Sequence, residues 1–290
     1  MTRSSHMPSP IPTAVNTPTR FVELKGRRLA YRDLGQGVPI ILCLRFRGIL
    51  DSWDPAFLDA LAAHHRVITF DYSGLGQSTG TPSYVRTKMA QDAVDLADAL
   101  GLERFVIGGW SLGGIAAQVV ARLHPQRVIK ALLIGTTPPG RVRVPAKPIF
   151  FERALKPVND LDDETVLFFH PESEKSRAAA VASHHRIAAR TTDTSPAIPI
   201  DTVLRLLAET KGDDVFVDDN GYRDFLETTD IPMLVISGDQ EIVFPVENWF
   251  DLTPRTKSVH LMVFPQMGHG PQHEAPQVCA DLIASFIRNF

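Results

Sequence analysis

Cysteine is scarce in this chain, with Cys43 and Cys279 the two copies in 290 residues. That excludes a disulfide framework. Cys43 lies in the apolar run 39–44 and reads as a small buried hydrophobe, so the compartment expected is a reducing one. An excess of one charge is also missing. Thirty basic side chains face thirty-three acidic ones, for a formal net charge of -3, which leaves no electrostatic footprint for nucleic acid or an anionic membrane. No stretch approaches about 18 consecutive apolar residues, so no membrane span is expected. Neither is there a Cys/His cluster at ligand spacing, and no metal or organic cofactor is implied. Internal repeats are lacking, as is low-complexity sequence beyond residues 1–20. Those first twenty, rich in Pro, Ser and Thr and without the apolar core of a signal peptide, read as a disordered leader. A soluble, cytoplasmic protein is the expectation.

What is present is an alternation of short apolar strands and amphipathic helices. Residues 21–23 and 28–33 read as an antiparallel hairpin, 39–44 as a buried strand, and 67–70, 104–107, 131–134, 232–237 and 259–264 as further strands. Helical spacing marks 54–63, 83–100, 112–123 and 276–287. Such alternation implies a mainly parallel sheet covered on both faces, with right-handed crossovers. From about 136 to 229 the rhythm breaks, with prolines and helical patches but no convincing strand. The organisation expected is an α/β core over 21–135 and 230–290, with a helical cap insertion over 136–229.

The strongest chemical signal is Gly109-Trp110-Ser111-Leu112-Gly113-Gly114. A bare Gly-x-Ser-x-Gly means little, but here a strand runs into it and a helix leaves it. A serine on so tight a turn stands above the sheet edge with its hydroxyl exposed to reactants. It needs a base, and His269, in the loop after the last strand, lies at the same edge; His260 and His273 are its rivals. An acid must orient that imidazole. Two carboxylates follow the strand 232–237, and Glu241, three residues after Gly238, is preferred to Asp239, which suits a turn-bracing role.

The order Ser…acid…His, the elbow itself and the stretch Asp71-Tyr72-Ser73-Gly74-Leu75-Gly76-Gln77-Ser78 together resemble the α/β-hydrolase superfamily. The resemblance runs from about residue 21 to 290, the insertion excepted. It implies the α/β-hydrolase fold with a mostly parallel eight-stranded sheet, and an oxyanion hole from the backbone N–H groups of Phe46 and Leu112. Where the family usually has His-Gly after its third strand, this chain has Leu44-Arg45. Arg45 and Arg47 are candidate substrate contacts, as are Trp110 and the insertion's Phe168; the alternative for the arginines is salt bridges to Asp51 or Asp54. The reaction implied is hydrolysis of a small ester or lactone with an apolar acyl part. C–C bond hydrolysis, cofactor-free perhydrolysis, or a low-turnover ligand receptor are the alternatives.

Overall fold

The computed structural model describes residues 13–209 and 215–290. The strands are β1 (Arg20–Leu24), β2 (Arg27–Leu34), β3 (Pro39–Cys43), β4 (Arg66–Phe70), β5 (Phe105–Trp110), β6 (Val128–Ile134), β7 (Met233–Gly238) and β8 (Val259–Phe264). They form one eight-stranded sheet in the order β1-β2-β4-β3-β5-β6-β7-β8. The β1–β2 and β2–β4 pairings are antiparallel and the rest parallel. Every residue of β5 and β7 is buried, because helices cover both faces of a parallel sheet and no side of a central strand meets water. That explains why these strands are continuous apolar runs rather than alternating ones.

The sheet's helices are α1 (Pro55–Ala62), α2 (Arg86–Ala99) and α3 (Leu112–Leu123). Asp54 caps α1 by accepting from Ala56 N–H at 2.9 Å, with Pro55 preset at the first helical position. Helix α2 starts three residues later than the spacing implies. The Ser83 hydroxyl accepts from Val85 N–H at 3.1 Å, so 83–85 is a hydroxyl-closed turn, and the Tyr84 ring meets Phe46 with centroids 5.4 Å apart. Between β6 and β7 run α4 (Pro148–Ala154), α5 (Leu161–Phe168), α6 (Glu174–Ala188), α7 (Ile200–Glu209) and α8 (Tyr222–Thr228), with no strand among the described residues. The chain ends with α9 (Glu247–Phe250), α10 (Pro271–Glu274) and α11 (Pro276–Asn289). Helix α11 packs on α1, and α6 lies against α1 and α10.

Of the expected leader, residues 1–12 lie outside the described residues. From Thr13 onward the chain is not disordered, and the expectation is corrected there. Ala14 is buried, its N–H donates to Asp59 at 2.7 Å, and the carbonyls of Ala14, Val15 and Thr17 accept from Arg190 of the insertion. The signal was invisible locally, because Arg190 is remote in sequence. Among the described residues, no helix is long and apolar enough to cross a membrane.

Candidate active site

Ser111 joins β5 to α3 with φ 60° and ψ -122°, a left-handed conformation that costs a non-glycine residue energy and is held by its surroundings. Ser111 N–H donates to Ile134 O at 2.8 Å, and Gly114 N–H to Ser111 O at 2.9 Å. A Cβ on Gly109 would stand 2.1 Å from the Gly113 carbonyl, and one on Gly113 2.1 Å from Cys43 O on the neighbouring strand. Helix and strand can close around the serine because both positions are glycine. Leu112 opens α3, so its N–H belongs to the first turn, where helical donors have no intrahelical acceptor.

His269 follows β8, and its Nδ1 stands 2.5 Å from Glu241 Oε2. Glu241 is held in turn by the N–H groups of Val243 at 2.6 Å and Phe244 at 3.2 Å, both on Oε1. Ser111, His269 and Glu241 are 5%, 2% and 4% exposed, so this chemistry is sheltered from bulk water. Asp239 is exposed and accepts from Gln266 N–H at 2.7 Å; it braces the turn in which Gln266 has φ 59°. His260, on β8, packs instead against the rings of Phe286 and Phe290 at the C-terminal end of the chain.

Aromatic rings wall the site. Trp110 is buried and donates its indole N–H to His269 O at 2.8 Å, so it steadies the loop that carries the imidazole. Phe168 lies 6.3 Å from the His269 ring and 5.0 Å from Trp110, and its carbonyl accepts from Gly270 N–H at 2.7 Å. Phe244 adds a ring at 6.1 Å from His269. After β3, residues 45–48 form a turn closed by Gly48 N–H to Arg45 O at 2.9 Å, which leaves Phe46 N–H outside the turn's own bond.

The two arginines of that turn part company. Arg47 donates to the carbonyls of Ala154, Lys156 and Pro157 at 2.7, 2.6 and 3.0 Å. Its guanidinium is used in holding the end of α4, where the expectation was a substrate contact. Arg45 points at the aromatic wall, its guanidinium carbon 4.6 Å from the Phe168 centroid and 5.3 Å from Trp110. Neither binds Asp51 or Asp54, which pair with Arg32 and Arg186 respectively.

Beside the site lies a polar network, largely buried, that the sequence does not signal. Asp54 accepts from Ser183 Oγ at 2.7 Å and Arg186 Nη2 at 2.6 Å, and Ser183 Oγ lies 3.4 Å from His273 Nδ1. The His273 ring stands 4.6 Å from Trp110, and burial pushes its imidazole down to about 4. These residues come from the cap of α1 and from α6 and α10, and no spacing along the chain announces their meeting.

The α/β-hydrolase fold family matches residues 38–276 of the chain, and the protein belongs to that family. It is 29% identical over 278 residues to a putative non-heme chloroperoxidase of Synechocystis sp., covering 90% of this chain and 93% of the relative. A non-heme haloperoxidase of Rhodococcus erythropolis is 29% identical over 274 residues, covering 91% and 97%. Among solved structures, an α/β-hydrolase fold protein from Chitinophaga pinensis superposes with a TM-score of 0.82 at 26% identity, covering 96% of this chain and all of that one.

Proposed function

We propose that the protein is a serine hydrolase that cleaves a small ester or lactone through an acyl-enzyme on Ser111. The observation that carries this reading is the Glu241–His269 contact of 2.5 Å at the sheet edge where Ser111 stands in its left-handed turn. With the Nδ1 hydrogen directed at Glu241, His269 keeps its Nε2 lone pair for a proton. His269 takes the Ser111 proton as Oγ attacks the carbonyl carbon, and the tetrahedral oxyanion accepts from the N–H groups of Leu112 and Phe46. The proton then passes to the departing alkoxide, which in a lactone stays attached to the acyl part. A second cycle with water frees the acid and restores Ser111. The helical insertion acts as a cap over this centre, with Phe168 giving an apolar body a ring to lie against. No cofactor takes part in this sequence.

A second reading is supported by the two haloperoxidase-named relatives, which match along most of their length. Hydrogen peroxide in place of water would attack the same acyl-enzyme and release a peracid. A fluorophosphonate probe is expected to label Ser111 alone, and Ser111→Ala to abolish both labelling and turnover of an ester and lactone panel. Labelling of another serine, or an unimpaired alanine variant, would defeat the proposal. Peracid in place of acid when peroxide is added would select the second reading.

A further inference from the structure

Arg45 is a charge in this site that the proposed mechanism leaves unused. It sits two residues beyond the end of β3, which pairs with β5 beside the elbow (Cys43 opposite Gly109). The two rings its guanidinium faces, Phe168 and Trp110, are both packed on His269. One nitrogen, Nη1, donates to Phe46 O at 2.8 Å, while Nε is buried with no hydrogen-bond partner. No ion pair holds it among the described residues. Glu164 acts on it through space and is itself bonded to His184 Nδ1 at 2.9 Å. Other arginines behave differently: Arg27, Arg32, Arg66 and Arg186 each rest on an aspartate.

Arg45 as a residue is partly buried and its Nε fully so; a cation held there without a counter-ion is unfavourable, and a guanidinium fork fits a carboxylate. Burial pulls Arg45 down to about 10, which leaves it positive at neutral pH, whereas His273 is neutral there. With Arg47 committed to carbonyls, one positive charge is on offer, which suits a monoanion. Trp53 Nε1, on a ring 6.1 Å from Trp110, is a further buried donor without a partner.

We propose that Arg45 recognises a carboxylate on the substrate, remote from the bond that is cleaved. The substrate class is then a small ester or lactone with an apolar body and one carboxylate end. The substrate assignment rests on the serine-hydrolase reading, but the binding of a carboxylate does not, and the two are tested apart. Benzoate and the neutral benzamide serve as probes, titrated calorimetrically into wild type, Arg45→Met and Arg45→Lys. Benzoate is expected to bind wild type about tenfold or more tightly than benzamide, the size of a charge-assisted hydrogen bond. Arg45→Met should lose that preference and Arg45→Lys keep part of it. Equal binding of the two probes by wild type, or a preference that survives in Arg45→Met, overturns the proposal.

Kinetics supply the second arm. For a half-ester of a dicarboxylic acid, Arg45→Met should lower kcat/KM about tenfold or more through KM, and change the matching diester little. An equal fall in kcat for both would mean that Arg45 only steadies the turn, and would also overturn the proposal. If wild type turns over neither ester, the hydrolase reading fails while the benzoate titration still decides the role of Arg45.

Discussion

Two carboxylates two residues apart have different surroundings here. Glu241 is buried against His269 Nδ1, while Asp239 is exposed and holds Gln266 N–H. Glu241→Gln should lower turnover by about 10³ to 10⁴, because the wrong imidazole tautomer is then favoured. Asp239→Asn keeps an oxygen for Gln266 and should cost far less; steady-state rates on one ester measure both, and the reverse order would move the acid's role to Asp239. Ser111, His269 and Glu241 could be picked out as candidates because each follows a strand and so falls at the edge where parallel strands end. Arg45 was legible only as a departure from a family pattern. Its lack of a counter-ion and the saturation of Arg47 by three carbonyls depend on where 154–157 and Phe168 come to lie, which their own sequence does not encode.

Elements were legible where one apolar period governs them and less so where polar side chains set the ends. The buried strands were readable to within a few residues, since a covered parallel strand is simply apolar. The start of α2 was not, because the Ser83 hydroxyl closes a turn that helical spacing does not reveal. Helix α6 has polar anchors of the same kind: Ser183 and Arg186 on Asp54, and Ser176 on Glu274 at 2.8 Å. Ser183→Ala removes one of these bonds and should cost about 1 kcal/mol, whereas Asp54→Ala also removes the cap of α1 and should cost about 3 kcal/mol. Urea unfolding of the two variants measures the difference, and equal losses would mean that the network is not anchored on Asp54.

Across the whole molecule, two buried groups pull the pH dependence of stability in opposite directions. Burial raises Asp71 to about 6, against hydrogen bonds from Ser195, Gln77 and Leu50. A raised carboxyl favours the folded state at low pH and loses that contribution as pH climbs from about 4 to about 6. His273, lowered to about 4 by burial, works the other way: its contribution is present above about 6.5 and lost as pH falls toward 4. Each is worth on the order of 3 kcal/mol, so the two slopes offset each other in wild type. Thermal melts from pH 4 to 6.5 should therefore show Asp71→Asn gaining stability with rising pH more steeply than wild type, and His273→Gln losing it. Unchanged slopes would refute both assignments. The eight-stranded sheet was legible at this scale, but the contact between residues 13–19 and the insertion was not, since it joins segments some 170 residues apart. That contact is one of several fastenings of the insertion among the described residues. Arg47 holds 154–157, Asp54 holds α6, Arg190 holds the stretch before β1, and Asp71 holds Ser195 at 2.6 Å. A panel riveted at many separate points does not swing open like a door. Entry of a ligand is then expected to depend on movements of individual side chains rather than of the whole panel, and rates on esters of growing width at constant polarity measure that dependence.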